Sequence, residues 1–269
     1  MESSKLSSTR SDKKVAIVTG GATGLGAAAA SKLVEAGYSV VITGRRRELL
    51  EQVAEKIGAV PFVADIREPD SSRQVVDEAL ARWGRIDGLV LNAGILHWGE
   101  FLDTTLQDWE DVLRTNLTGP FVLAQAALPS LIESKGGIVG ISSIAENNIW
   151  PGTGVYAVSK AGLSTLIKAL AVDYGDRGVR SNVVSPGDIK TEMNFETAEA
   201  HAADRGIDID AAWAEMVTSV PLRRWGSSDE VADVIAWLLS DASSYVNGAT
   251  IVVDGGKSNV QVMSKAQLE

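Results

Sequence analysis

The chain of 269 residues contains no cysteine. That excludes disulfide cross-links, iron–sulfur clusters and thiolate catalysis, although it does not fix a compartment. Histidine is almost as scarce. His97 and His201 stand alone, and zinc sites need several convergent ligands, so no metal is expected. Basic residues are outnumbered, 25 Lys and Arg against 35 Asp and Glu, for a net charge of −10. Such a balance argues against nucleic acid or an anionic membrane surface as a partner. No apolar run approaches the roughly 20 residues of a membrane span. The first thirteen residues, MESSKLSSTRSDK, are serine-rich and carry basic charges. They lack the apolar segment of a signal peptide. They are expected to form a flexible tail on a cytoplasmic protein.

The composition is 45% hydrophobic and 22% charged, ordinary for a globular protein, and the length suits one large α/β domain. From Lys14 onward, short β-rich runs alternate with helical segments. Strands are expected at 15–19, 39–43, 60–64, 87–91, 137–142, 179–185 and 250–253. Helices are expected at 27–36, 48–57, 72–83, 107–134 and 155–174. Continuous apolar strands separated by helices indicate a parallel sheet covered on both faces. Right-handed crossovers then give a doubly wound, seven-stranded Rossmann fold over residues 14–256. Residues 194–219 are polar and helix-rich without a strand. They read as part of an excursion, 188–220, that would fold over a substrate as a lid. Residues 257–269 read as a C-terminal tail.

After the first strand comes Thr19-Gly20-Gly21-Ala22-Thr23-Gly24-Leu25-Gly26. Glycines at 20, 24 and 26 suit a tight turn, close approach of a phosphate and close helix packing. The following helix offers free N–H groups and a positive dipole end to pyrophosphate. NAD-preferring sites place Asp or Glu at the end of the second strand for the ribose 2′-hydroxyl. Here stand Gly44 and then Arg45, Arg46 and Arg47. Their forked donors suit a 2′-phosphate, Arg45 first among them, so NADP(H) is favoured and NAD(H) stays open. Asp65 follows the third strand, where a carboxylate would accept from an adenine amino group. Asn92-Ala93-Gly94 follows the fourth, where small residues let backbone approach the adenosine ribose. Asp65 and the Asn-Ala-Gly run also have plain readings as a helix cap and a turn.

Tyr156 and Lys160 stand one helical turn apart on one face, with Ser143 thirteen residues upstream. On most helices such a pair is a partly buried tyrosine and a solvated lysine. The glycine loop changes the reading. A free tyrosine has a pKa of about 10, and bringing it near neutrality takes about 4 kcal/mol of preferential phenolate stabilisation. A cation beside the phenolate, closed off from water, is the usual means, so the tyrosine is expected to be lowered. Ser143 would hydrogen-bond the substrate oxygen that Tyr156 protonates.

In order, TGGATGLG at 19–26, Asp65, NAG at 92–94, Asn116, Ser143, YAVSK at 156–160, SPG at 185–187 and VDGG at 253–256 resemble the short-chain dehydrogenase/reductase family, over roughly Lys14 to Gly256. The resemblance implies that Tyr156 is general acid in reduction and general base in oxidation. It implies that Ser143 holds the substrate oxygen, that Lys160 lowers the tyrosine and binds the nicotinamide ribose, and that Asn116 supports a water-linked proton path through a break in its helix. Leu25, Ile66, Pro186, Gly187, Ile189 and Thr191 join the implied cofactor contacts, and a homotetramer is the implied assembly. Leu91 replaces a second Asn common before NAG, and Thr23 a basic residue of some NADP-dependent members. The expected activity is therefore NAD(P)-dependent interconversion of a secondary alcohol and a ketone. A non-redox enzyme or a nucleotide-sensing protein on the same scaffold is the alternative. The intact glycines, Ser143, Tyr156 and Lys160 speak against both. Substrate-facing residues are expected after Ser143 (Glu146, Asn147, Trp150), after the fourth strand (Ile95, His97, Trp98) and in the excursion (Met193, Phe195, Trp213, Met216). This mainly apolar set suits cyclic or aromatic ketones and alcohols.

Overall fold

The computed structural model describes residues 12–259. Seven parallel strands form one sheet: β1 (Val15–Thr19), β2 (Ser39–Gly44), β3 (Val60–Val63), β4 (Gly88–Leu91), β5 (Gly137–Ile141), β6 (Arg180–Pro186) and β7 (Thr250–Val253). Their order across the sheet is β3-β2-β1-β4-β5-β6-β7. The chain starts in the middle, winds outward to β3, then returns past β1 to the other edge. The reversal between β1 and β4 opens a crevice at the carboxyl ends of the strands, where ligands of open α/β sheets bind.

Alternate strand residues build two cores, as a sheet buried on both faces requires. Val15 and Ile17 point into one with Leu89 and Ile138; Ala16 and Val18 point into the other with Val90 and Val139. The first face is covered by α3 (Pro69–Trp83), α5 (Gly119–Ser134) and α6 (Gly154–Tyr174), through Val75, Leu123 and Leu163 among others. The second is covered by α1 (Gly24–Glu35), α2 (Arg47–Ile57) and α9 (Ser228–Leu239), through Leu33, Leu50 and Ile235. The helix preceding α5, α4, spans Leu106–Leu113; α7 (Glu192–Arg205) and α8 (Ile209–Met216) form the excursion after β6.

Three features differ from the sequence expectation. Helix α9 was not anticipated, yet Ser227 and Glu230 form a capping box at its start, and Val231, Ile235 and Leu238 lie buried along one side. The stretch expected as one helix over 107–134 is α4 and α5 joined by a π-helical turn, Arg114–Thr118, which is the break implied at Asn116. The supposed C-terminal tail begins as structure: Lys257–Asn259 is a 3-10 turn, and Lys257 pairs with Asp188. The tail expectations for 1–11 and 260–269 lie outside the described residues.

Helix α6 with its following 3-10 turn, Gly154–Arg177, reaches a mean hydropathy of 1.3 and is long and apolar enough to cross a membrane, although no unbroken apolar run passes through it. Half of that stretch is buried. Leu163 and Ile167 sit in the core against the sheet, which accounts for the apolarity by packing.

Candidate active site

The loop from β1 to α1 is shaped by close approach. A Cβ on Gly26 would lie 2.1 Å from the Gly20 carbonyl oxygen, and one on Gly20 would lie 2.8 Å from Nδ2 of Asn92. Gly20 and Gly24 also take positive φ, 66° and 50°, which side chains other than glycine rarely adopt. Thr23 is the N-cap of α1 but makes no side-chain hydrogen bond to it, so the N–H groups of the first turn are left for an anion. Thr191, at the start of the excursion, lies over this loop, 3.5 Å from where a Gly24 Cβ would be. Leu25 packs into the second core instead.

Next to the loop lies a cleft of about 330 Å³ lined by Gly20, Thr23, Arg45, Asp65, Ile66, Ala93 and Gly94 of the expected cofactor set. Asn92 has a different job. Its Nδ2 donates to the Thr19 carbonyl at 2.9 Å, and Thr19 Oγ1 accepts from the Asn92 and Ala93 amides, so Asn92 braces the glycine loop from beneath. Of the three arginines, Arg46 is forked onto Glu192 at 3.0 Å and Arg47 pairs with Glu51 at 3.2 Å; Arg45 is exposed at the cleft. Asp65 accepts from the Arg67 guanidinium through both oxygens, and this pairing holds its carboxylate below the usual range.

One wall residue was missed by the sequence reading. Ser72 is 2% exposed, lines the cleft, and its Oγ has no hydrogen-bond partner. A buried hydroxyl without a partner costs about 1–3 kcal/mol. The hydroxyl lies in the cleft wall, where a rotation about its Cα–Cβ bond would turn it toward a polar ligand such as adenosine. Ser72→Ala is therefore expected to raise the Tm of the ligand-free protein while weakening 5′-AMP binding several-fold, by about 1 kcal/mol. Calorimetric titration with 5′-AMP checks this; unchanged affinity would show that the hydroxyl makes no ligand contact.

The residues expected to handle the proton lie near one another. Ser143 ends β5's outgoing chain and caps the 3-10 turn Ile144–Glu146, accepting from the Ala145 amide at 3.1 Å. Its hydroxyl proton is thereby free to donate. Tyr156 hydrogen-bonds with Ser143, which favours the phenolate, but burial opposes it more strongly and pushes the phenol up to about 12. Lys160 is 4% exposed; its Nζ donates to the Ile141 carbonyl at 2.8 Å and lies 5.6 Å from the Tyr156 ring centre. Burial pushes this ammonium down to about 8, against the opposing pull of Glu146. The expectation of a lowered tyrosine is thus corrected for this state. Desolvation outweighs a cation that is aimed at a carbonyl and not at the phenol oxygen, so Tyr156 rests protonated.

Asn116 sits in the π turn, fully buried. Its amide is pinned to Ile95, Oδ1 accepting from the amide at 2.8 Å and Nδ2 donating to the carbonyl at 2.9 Å, and Nδ2 also donates to Ser159 Oγ. A Cβ on Gly94 would lie 3.2 Å from Lys160 Nζ and 3.3 Å from Asn116 Oδ1, a tight fit that a side chain there would meet only by shifting one of them. Gly187 is pressed on Asp254, and Pro186 and Ile189 are buried beside it at the end of β6.

Two of the three substrate-facing segments are brought together. The Gly99 amide donates to the Gly152 carbonyl at 2.9 Å, Trp98 packs on Gly152, and Phe101 on Gly154. Trp150 stands beside them, 37% exposed, with Lys257 over its ring at 5.3 Å. Asn147 is exposed. Two residues leave the expected set. Glu146 turns inward, accepting from Ser142 and Ser164. Trp213 is buried at 6% exposure and edge-on to Trp225 at 4.5 Å, because the excursion needs a core of its own. His97 touches Thr104 and His201 touches Glu215. The side chain of Met193 lies outside the described residues.

A larger cavity, about 740 Å³, opens at the opposite, amino-terminal ends of the strands. Of its lining charges, Arg85 pairs with Asp87 and Lys14 with Asp241, Arg180 donates to the carbonyls of Ser240 and Ser243, and Lys135 also lines it. It is a structural seam remote from the chemistry.

The family model described as enoyl-(acyl carrier protein) reductase matches residues 20–258. Versicolorin reductase of Emericella nidulans is 35% identical, with 92% of this chain and 96% of that protein covered. A probable 2,4-dienoyl-CoA reductase of Bacillus subtilis is 36% identical over 91% of this chain and 97% of its own length. The crystal structure of an actinorhodin polyketide ketoreductase with NADPH superposes with a TM-score of 0.88 at 28% identity, covering 94% of this chain and all of that one. Matched in sequence motifs, strand order and nearly full length, the chain belongs to the short-chain dehydrogenase/reductase family.

Proposed function

We propose that the protein interconverts a secondary alcohol and a ketone, with Tyr156 as the group that moves the proton. The observation that carries this reading is the cluster of half-buried Ser143 and Tyr156 with buried Lys160 beside a glycine-walled cleft. A bound nicotinamide dinucleotide supplies or takes up the hydride. The chain's own residues handle the oxygen. In reduction, the Tyr156 hydroxyl gives its proton to the carbonyl oxygen, and Ser143 donates a second hydrogen bond to the same atom. Two donors aimed at an oxygen that gains negative charge stabilise the transition state more than the ground state. In oxidation, the Tyr156 phenolate takes the proton from the alcohol, and the Lys160 ammonium stabilises that phenolate. Gly20, Gly24, Gly26, Ala93 and Gly94 would hold the dinucleotide, with Ser72 and Asp65 at its adenosine end and Thr191 at the pyrophosphate.

The preference we propose is for NADP(H), through Arg45. No carboxylate stands at the end of β2; Arg45 and Arg46 both line the cleft, but Arg46 is forked onto Glu192 and Arg47 pairs with Glu51. Arg45→Ala should weaken NADPH binding about tenfold, the worth of one exposed charge-assisted hydrogen bond to phosphate, and leave NADH nearly untouched. Fluorescence titration with both cofactors measures it; equal losses would remove the assignment. For the substrate we propose a cyclic or aromatic ketone, because Trp98, Phe101 and Trp150 form an exposed apolar rim where the substrate segments meet. The actinorhodin polyketide ketoreductase is by its name an enzyme that reduces a ketone. The dienoyl-CoA reductase raises a second reading, reduction of a carbon–carbon double bond. A panel of cyclic ketones, alcohols and enoyl thioesters, run with each cofactor, decides between them. Turnover of enoyl thioesters alone would overturn the carbonyl reading.

A further inference from the structure

Glu146 sits in an unusual place for a carboxylate. It is partly buried at the end of the 3-10 turn that Ser143 caps, facing helix α6 and not the substrate rim. Ser142 Oγ lies 2.9 Å from its Oε2, and Ser164 Oγ donates to the same oxygen. Ser142 Oγ also lies 3.1 Å from the Lys160 carbonyl. A hydroxyl has one proton, so Ser142 must choose between two acceptors, and the charged one is the stronger. The carboxylate is thus fastened from two sides, by the residue that follows β5 and by a residue one turn beyond Lys160 on α6. Those are the two elements that carry Ser143 and Tyr156.

The same carboxylate answers a charge problem. Lys160 is an almost fully buried ammonium whose hydrogen bond goes to a neutral carbonyl. A buried charge needs a counter-charge or it neutralises. The groups that face it are Tyr156 on its own helix, the neutral amide of Asn116 from the π turn and the Ile141 carbonyl at the end of β5; Glu146 makes no direct ion pair with it, but lies one serine away, Ser142 Oγ reaching both Glu146 Oε2 and the Lys160 carbonyl, and its charge acts on the ammonium across that distance. Among these, Glu146 is the anion.

We propose that Glu146 is a positioning residue for the proton-transfer pair: it ties the turn that begins at Ser143 to α6 and supplies the counter-charge that keeps the buried Lys160 protonated. The proposal rests on the reading of Tyr156 and Lys160 given above. It deepens that reading, since a lysine that lost its proton would no longer support the tyrosine. The two halves of the role are separable. Glutamine keeps an oxygen for the serine hydroxyls and loses the charge; alanine loses both; aspartate keeps the charge on a shorter stem.

The test is direct titration of Lys160 by carbon-13 NMR in lysine-labelled protein, its signal assigned by its disappearance in Lys160→Met, alongside the pH profile of kcat/KM. Glu146→Gln is expected to move the Lys160 titration and the alkaline limb of the profile about one pH unit toward acid, with Tm and NADPH affinity near wild type. Glu146→Ala is expected to show that shift and also to lose kcat a further tenfold or so, as the Ser143 turn loosens. Glu146→Asp should restore the titration position. A Lys160 titration unmoved in Glu146→Gln would overturn the proposal, even in an active enzyme. An inactive wild type whose Lys160 still shifts would instead refute the functional reading, so the two failures are distinct.

Discussion

Tyr156→Phe lowers kcat/KM for ketone reduction by roughly 10²–10⁴-fold, the usual worth of a general acid, and leaves NADPH affinity close to wild type. The substitution removes one oxygen and keeps the ring. Packing around the ring is therefore preserved, and the only polar partner lost is the Ser143 hydroxyl. The size of the effect follows from what remains. Ser143 can still donate to the substrate oxygen, but its own proton is not a practical acid, so charge that builds on that oxygen finds a hydrogen bond and no proton. Burial makes the wild-type phenol a weak acid in the ligand-free protein, pushed up to about 12, so the resting enzyme carries the proton that reduction needs. Steady-state kinetics with a ketone identified in the panel, and cofactor titration of the same variant, separate the two quantities. Activity near wild type would remove Tyr156 from the mechanism. Loss of cofactor binding in parallel with activity would assign the tyrosine a structural role.

The parts of this site that could be read from the chain are those set by backbone demands. Gly20 and Gly26 leave no room for a Cβ, so glycine there is a direct record of close packing between β1, α1 and β4. The strands were legible because a sheet buried on both faces needs unbroken apolar runs such as VAIVT, and the seven-stranded order follows from alternating strands and helices. The Tyr156/Lys160 pairing was legible because helical spacing places both on one face. Its charge state was not, because that depends on burial and on where Nζ points, here toward Ile141. Glu146 was misread for a similar reason: a residue in the turn after Ser143 can point its side chain either way, and Ser142 on one side with Ser164 on α6 draws it inward. Ser72 was invisible because an orphan hydroxyl is defined only by neighbours that fail to reach it. Helix α9 carries its own signal, the Ser227/Glu230 capping box ahead of spaced apolar residues.

Lys160→Met is expected to remove most turnover and yet make the ligand-free protein more stable. The ammonium falls from 10.5 in the unfolded chain to about 8 in the fold, which corresponds to a burial cost on the order of 3 kcal/mol at neutral pH. Methionine has nearly the same volume and no charge, so that cost disappears. Against this stands the Ile141 carbonyl, which loses its 2.8 Å donor at a cost of about 1–2 kcal/mol. The balance leaves a gain on the order of 1 kcal/mol, or a few degrees in Tm. The pH dependence gives a second handle with a definite sign. A lysine whose folded pKa lies below its unfolded one destabilises the fold fully below about pH 8, and that penalty fades as pH rises toward 10.5. Wild-type stability should therefore climb relative to the variant between pH 8 and 10.5, so that the difference seen at pH 7 shrinks. Urea midpoints at pH 7 and pH 10 measure both. In the active wild type the same ionisation should appear as an alkaline limb near pH 8 in kcat/KM, which reports groups of the free enzyme. A variant that is less stable at pH 7, or a stability difference that does not shrink with pH, would show that the ammonium is favourably held in the fold. In that case its burial would not be a cost carried for catalysis.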